Sequence, residues 1–170
     1  MHYEGNGLDK DISKAAYYFK LAASKGNSES NFMLGIINLE DDNKLAREYF
    51  ELSSVHQNSK ASLELGKLYE KDTDIQHDYI KAKNYYILSI IQGNSLALLN
   101  LGNLYEFGKG VDQSYLKAKH LYELLSLKKN SDAFLFLGNL FIKRRGQDNY
   151  LKAIKFYEKS AEYKNSIAMI

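Results

Sequence analysis

Three short sequence markers recur along the chain with one common spacing. A Leu-Gly pair begins at Leu34, Leu65, Leu101 and Leu137, at intervals of 31, 36 and 36 residues. An Asn-Ser pair recurs with nearly the same spacing, at Asn27, Asn58, Asn94, Asn130 and Asn165. An alanine that precedes an aromatic pair or near-pair has the same spacing, at Ala15, Ala46, Ala82, Ala118 and Ala153. A fixed period of this length is typical of repeat architectures, whose stacked units bury one continuous core.

Each repeat is predicted to contain two helices, and the copy over residues 94–129 is the clearest. Its first helix places Ala97, Leu101, Leu104 and Tyr105 on one face, and its second does the same with Ala118, Leu121, Tyr122 and Leu125. The Asn-Ser pair is predicted to start each first helix, because an asparagine side chain can accept from the unpaired amides of the first turn. Glycines between the helices allow positive φ angles and a sharp reversal.

The glycine of each Leu-Gly pair lies inside a predicted helix, where it costs about 1 kcal/mol relative to alanine. Its recurrence at four places therefore needs a packing explanation. We expect Gly102 and Ala118 to lie where the two helices of a repeat approach each other closely.

The units resemble Sel-one-like repeats, a branch of the tetratricopeptide-like superfamily. Residues 97–130 carry most of that family's pattern, namely Ala97, Leu101-Gly102, Tyr105, Gly108, Gly110-Val111, Lys117-Ala118, Tyr122 and Asn130. The first copy matches at Lys14-Ala15, Tyr18-Phe19, Ala22-Ala23 and Gly26-Asn27. Three copies depart from the pattern, because Gln57, Lys129 and Lys164 occupy the position of the closing glycine. The copy that begins at Asn27 also has a shortened loop.

The resemblance implies an all-α fold, a right-handed α-solenoid of stacked antiparallel helix pairs. We expect residues 1–170 to form a single array. It comprises a partial repeat (1–26), four repeats (27–57, 58–93, 94–129 and 130–164) and a partial repeat (165–170). Because the array starts and stops within a repeat, we expect a fragment of a longer one, whose apolar ends could associate end to end.

The composition argues against several classes of partner. The 23 basic and 21 acidic residues give a net charge of +2, so neither nucleic acid nor a membrane is expected as the main partner. Cysteine is absent, which excludes disulfides and thiol nucleophiles. The first residues lack the features of a signal peptide, and no apolar run approaches the roughly 20 residues of a membrane span. We expect a cytoplasmic protein.

No catalytic or metal-binding constellation stands out. His77 has Asp74 and Asp78 nearby, but a polar loop in place of the glycine loop explains this cluster better than a metal site. Gly108-x-Gly110 lacks the preceding strand of a phosphate-binding loop. The basic run at 143–145 is interpreted as solvated, and so is His120. We therefore predict that the chain is not an enzyme and holds no cofactor or metal.

The resemblance implies a concave groove lined by the first helices. The positions two before and one after the Leu-Gly glycine would face it, which selects Glu64, Lys67, Asn100, Asn103, Phe136 and Asn139. Asn100 and Asn103 share a helix face, and asparagine can both donate to and accept from a peptide backbone. Phe136 would add an apolar contact. The alternative is that these side chains only solvate the first helices.

These observations favour a scaffold or adaptor that holds a protein or peptide in the groove. Two other functions stay open at this point. The chain could be a regulatory subunit that activates or positions a partner enzyme, or a structural spacer whose groove is empty.

Overall fold

The fold is given by a computed structural model, which describes residues 12–71, 78–144 and 146–168, with side chains up to residue 164. The described residues are mainly α-helical and contain no strand. The chain divides into two compact units, Met1–Asn94 and Ser95–Ile170. The predicted Asp74–His77 cluster, Arg145 and the start of the first repeat lie outside the described residues.

Unit 1 consists of consecutive antiparallel helices, in which first and second helices of the repeats alternate. The first helices are α2 (Ser28–Asn38) and α4 (Ser59–Lys71). The second helices are α1 (Ile12–Ala23), α3 (Asn43–Val55) and α5 (Tyr79–Ile91). Within this unit, each helix packs against the next one.

Unit 2 repeats this arrangement with α6 (Ala97–Phe107), α7 (Tyr115–Ser126), α8 (Ser131–Lys143) and α9 (Gln147–Ala168). Its core contains Ala118 and Tyr122 of α7 together with Leu137 and Leu140 of α8. The predicted buried stripes are confirmed, except that Tyr105 and Leu121 are only half-buried.

Asparagine caps begin three of the first helices, as the Asn-Ser pairs predict. The Oδ1 atom of Asn27 accepts from the amide of Ser30 at 2.8 Å, and that of Asn130 accepts from the amide of Ala133 at 3.0 Å. Asn58 accepts from the amides of Lys60 and Ala61. These bonds satisfy amide groups that the first turn of a helix otherwise leaves unpaired.

The remaining first helix, α6, starts later than predicted. Helix α6 begins at Ala97 rather than at Ser95, and its N-terminus has no side-chain cap. In three other repeats a serine of the second helix donates to the carbonyl that opens the first helix, in the pairs Ser53–Ser28, Ser89–Ser59 and Ser160–Ser131. The corresponding residue here is the buried Leu125, which has no group to hold the carbonyl of Ser95.

The predicted turn before a partial repeat at 165–170 is also absent, because α9 continues as one helix to Ala168. Lys164 occupies the position at which other repeats reverse direction with a positive φ.

Each Leu-Gly glycine accommodates an aromatic ring from the second helix of its own repeat, which explains its recurrence. A Cβ atom on Gly102 would overlap Cε1 of Tyr122 and lie 2.9 Å from its Cδ1. The same overlap pairs Gly35 with Phe50, Gly66 with Tyr86, and Gly138 with Tyr157. The group that requires each glycine is therefore an aromatic ring, whereas the close approach of Gly102 to Ala118 stays a prediction.

The turns that close the repeats all use a left-handed residue, and two of these residues are not glycine. Gly26 and Gly93 have φ angles of +81° and +96°, whereas Gln57 and Lys129 adopt +65° and +56°. We predict that Lys129→Gly raises the free energy of unfolding by about 0.5–1 kcal/mol, because glycine adopts this conformation without the steric cost. Urea unfolding would measure the change. Lys128→Gly is the control, since Lys128 has no positive φ, and an equal gain there would contradict the explanation.

Candidate partner-binding grooves

The first helices of unit 1 enclose a groove that contains two of the predicted site residues. This groove, the α2–α4 groove, has a volume of about 270 Å³ and is lined by Leu39, Asn43, Glu64, Lys67, Leu68 and Lys71. Glu64 and Lys67 form an ion pair, with 2.8 Å between Oε1 and Nζ. Both side chains remain partly exposed, so the pair can exchange partners at little energetic cost.

Unit 2 has an equivalent groove between its own first helices, and it contains two more of the predicted residues. The α6–α8 groove has a volume of about 210 Å³ and is lined by Glu106, Phe107, Phe136, Asn139, Ile142 and Lys143. Its apolar part consists of two phenylalanines and an isoleucine. Its polar part consists of one amide and one ion pair.

The ion pair of the α6–α8 groove involves a buried carboxylate. Glu106 is only 2% exposed, and its Oε2 accepts from the Tyr122 hydroxyl at 2.9 Å. Its Oε1 accepts from the ammonium group of Lys143, which also lies 4.6 Å from the centre of the Phe107 ring. A buried carboxylate needs such partners, because desolvation without compensation is costly. The Lys143 side chain is about half exposed and forms the polar rim of the groove.

The predicted asparagines have a structural role that the sequence interpretation missed. The Tyr122 hydroxyl lies 2.8 Å from Oδ1 of Asn103, and the Tyr157 hydroxyl lies 2.9 Å from Oδ1 of Asn139. Both asparagines thus hold the ring that packs against the neighbouring glycine. They are half-buried, as is Asn100 one turn earlier on α6.

Among the repeats, the ring that packs against the Leu-Gly glycine has a hydrogen-bond acceptor nearby only where the ring carries a hydroxyl. The Tyr86 hydroxyl donates to Glu70 at 2.8 Å, at the position that corresponds to Glu106. Where the ring is Phe50, which has no hydroxyl, the two acceptor positions hold the apolar residues Ile36 and Leu39. Each buried ring hydroxyl is thus matched by an acceptor on the first helix of its own repeat.

Burial keeps these hydroxyl groups protonated. It raises the pKa of Tyr86 and Tyr122 far above the usual value, and the neighbouring carboxylates of Glu70 and Glu106 raise it further. Both tyrosines therefore act as hydrogen-bond donors throughout the physiological pH range.

The remaining candidate residues do not assemble into a reactive centre. His120 is exposed, as predicted. The part of the chain that the structure describes contains no group of three or more His, Cys, Asp or Glu residues that could hold a metal ion. None of its described helices combines the length and apolar character needed to cross a bilayer.

Stacked antiparallel helix pairs with glycine–aromatic packing define an α-helical repeat protein. The profile of the Sel1 repeat matches residues 1–27, 28–54, 59–94, 95–130 and 134–162. The chain therefore belongs to the Sel1 repeat family, which confirms the resemblance drawn from the sequence. Proteins of this family are generally scaffolds for protein interactions, and the repeat itself is a non-catalytic fold.

Solved structures of related proteins support this assignment. A protective antigen of uropathogenic Escherichia coli that displays an SLR fold is 30% identical, with a TM-score of 0.82 over 98% of this chain. The match covers 37% of that antigen, so this chain spans little more than a third of its length. A Sel1 repeat protein of Oxalobacter formigenes is 24% identical (TM-score 0.84, 99% of this chain and 69% of that one).

MamA is more distant, at 19% identity and a TM-score of 0.63, with 91% of this chain and 90% of MamA covered. It and the Oxalobacter protein support the fold alone. No curated protein matches the chain significantly.

Proposed function

We propose that this chain is a scaffold or adaptor that binds a protein or peptide along its first helices, and that it has no catalytic activity of its own. The observation that supports the proposal is the position of the predicted residues Glu64, Lys67, Phe136 and Asn139. All four line open grooves between consecutive first helices, two in each unit.

The chemistry of the grooves is suited to a polypeptide. In the α6–α8 groove, Phe107, Phe136 and Ile142 offer contacts for an apolar side chain, and Lys143 and Asn139 lie beside them. The Oδ1 of Asn139 is bonded to Tyr157, so the amide nitrogen is the atom that would donate to a backbone carbonyl. In the α2–α4 groove, Glu64 and Lys67 present one charge of each sign.

The test is affinity capture from the source cell with two matched double variants. Phe107→Ser with Ile142→Ser alters the α6–α8 groove without removing an acceptor of a core tyrosine. Leu151→Ser with Leu124→Ser is the control on the second helices, where the side chains have the same exposures, 55% and 39%. We expect the groove variant to lose its partner at least tenfold and the control to retain it.

Each result distinguishes between the functions that the sequence left open. Equal retention by both variants would place binding outside this groove and contradict the proposal for unit 2. Failure of the unaltered chain to capture any partner would favour a spacer. If the captured partner is an enzyme whose turnover rises in the presence of the chain, the role is that of a regulatory subunit.

A further inference from the structure

Among its described residues, unit 1 exposes large hydrophobic side chains on its second helices only. Among the described residues, none lies on α2 or α4. They are Ile12, Tyr17, Tyr18 and Leu21 of α1, Leu52 and Val55 of α3, and Ile80, Ile87 and Ile91 of α5. Val55 and Ile91 are each 76% exposed at the last position of their helices. Solvated faces of helices normally carry polar residues, and an extensive apolar patch marks an interaction surface.

Charge is divided between the same two sets of helices. The second helices of unit 1 carry six basic residues, Lys14, Lys20, Lys44, Arg47, Lys81 and Lys83, but only two acidic ones, Glu48 and Glu51. Helices α1 and α5 contain no acidic residue. The first helices are balanced, with three basic and three acidic residues. Asp42 and Asp78 cap α3 and α5, and Asp78 pairs with Lys81 at 3.3 Å. The exposed apolar side chains of unit 1 therefore lie on a surface with a modest excess of basic groups.

These three helices present one contiguous surface, which we call the outer face of unit 1. A groove of about 350 Å³ between α1 and α3 is lined by Lys20, Tyr49, Leu52 and His56, among others. A second groove of about 500 Å³ separates α3 from α5 and is lined by residues that include Val55, Tyr85 and Leu88. The first groove includes the basic Lys20 and the second the acidic Glu51, and both present apolar side chains.

We propose that the outer face of unit 1 binds peripherally to the surface of an anionic lipid bilayer. Basic side chains attract anionic headgroups, while exposed aliphatic and tyrosine side chains enter the boundary between headgroups and acyl chains. Lysine is suited to this position, because its aliphatic stem can lie along apolar surface while the ammonium group reaches the phosphates.

The charge on the outer face argues against two other occupants. A second copy packed through the same face would oppose two surfaces that each carry more basic than acidic groups. A single acidic helix of a partner protein would fit one of the two grooves, but it would leave the remaining apolar residues exposed. A bilayer surface matches both the sign of the charge and the extent of the patch over three helices.

The net charge of the whole chain gives no indication of this surface. An overall charge of +2 led to the expectation that no membrane is involved. That average conceals the separation of charge between the first and second helices, which becomes visible only when each residue is assigned to a helix.

The experiment is flotation of the full chain with vesicles of phosphatidylcholine alone, or with about a third of phosphatidylserine. We expect binding to the anionic vesicles only, weakening as salt is raised, because mobile ions screen the headgroup charge. The variant Lys20→Glu, Lys44→Glu, Lys83→Glu should reduce the partition coefficient at least a hundredfold, since each basic residue near the surface contributes about a fivefold factor. Val55→Gln with Ile91→Gln should reduce it about tenfold.

The matched control is Lys60→Glu, Lys67→Glu, Lys71→Glu, which makes the same change of charge on α4. Circular dichroism melts establish that all variants remain folded. Equal loss in the control would show a net-charge effect and would overturn the assignment to the outer face. Equal binding to neutral vesicles, or no binding to either kind, would overturn the proposal. If the outer face binds an acidic helical peptide but the chain binds no vesicles, the proposal is also overturned.

Discussion

Gly102→Leu is expected to lower the free energy of unfolding by about 3 kcal/mol, because overpacking a well-packed contact between helices forces backbone and side chains apart. A Cβ atom on this residue would already overlap the Tyr122 ring, and the ring itself is fully buried. The better helix propensity of leucine, worth about 1 kcal/mol, offsets only part of this cost. Urea unfolding followed by circular dichroism measures the difference.

Two controls separate the steric effect from a general intolerance of substitution. Gly93→Ala adds a Cβ where no heavy atom lies within 4 Å, and its φ of +96° leaves only the conformational cost of about 1–2 kcal/mol. In a double-mutant cycle of Gly102→Ala with Tyr122→Leu, the two costs should not add, because the smaller side chain removes the ring that meets the new methyl group. Unchanged stability of Gly102→Leu, or strict additivity in the cycle, would refute the glycine–aromatic explanation.

Tyr122→Phe should cost about 2 kcal/mol, because the hydroxyl donates to a buried carboxylate and hydrogen bonds to charged groups contribute about 1.5–3 kcal/mol. The variant leaves the ring in place, so the packing against Gly102 is retained. What it removes is one of the two partners of Glu106, whose carboxylate remains buried. Unfolding by urea at pH 7 would report the loss.

The control for this variant is Tyr157→Phe, which removes a hydroxyl that donates to the neutral, half-buried Asn139. We expect a cost of about 1 kcal/mol, as for an ordinary hydrogen bond. A larger cost for Tyr157→Phe than for Tyr122→Phe would contradict the role given to Glu106.

The two variants should also differ at alkaline pH. The folded pKa of Tyr122 is raised above the ordinary value of 10.0, so its contribution to stability is complete below pH 10.0 and is lost as the pH rises beyond it. The unaltered chain should therefore lose stability above that pH, and Tyr122→Phe should lose less. Parallel pH profiles would contradict this assignment.

The sequence was sufficient to predict the class of fold, because periodicity is a property of residue spacing alone. The spacing of about 36 residues and the helical periodicity of the apolar positions predicted paired helices. The Leu-Gly glycines predicted a close contact between the two helices of a pair. The ring at that contact was not identified, because the spacing does not show which of two adjacent aromatic residues points inward. In the structure it is Tyr86 rather than Tyr85, and Phe50 rather than Tyr49, that is fully buried.

The site was predicted less completely, since its residues act through partners that are distant in sequence. Asn103 and Tyr122 are 19 residues apart, and Lys143 and Glu106 are 37 apart. One signal could have revealed the structural role of the asparagines. The repeat with Phe50 in place of tyrosine has Ile36 and Leu39 at the two acceptor positions, and this correlation is readable once the repeats are aligned.

The late start of α6 coincides with a single replacement, Leu125 for the serine found in three other repeats. The bond lost there joins two helices, so neither helix alone shows its absence. The residues proposed to bind a partner and the outer face of unit 1 also stay predictions, because both roles depend on molecules outside this chain.

The pairing of each ring hydroxyl with an acceptor in its own helix pair has a consequence for how such arrays change length in evolution. Duplication or deletion of a whole pair carries both members of the bond, so no phenol is left without its acceptor. A deletion that cuts through a pair would separate them. The buried Ser54–Ser62 bond, at 2.6 Å, is different, because it joins two successive pairs. Insertion of a new pair at that junction would therefore need compensating substitutions, whereas the ring hydroxyls would need none.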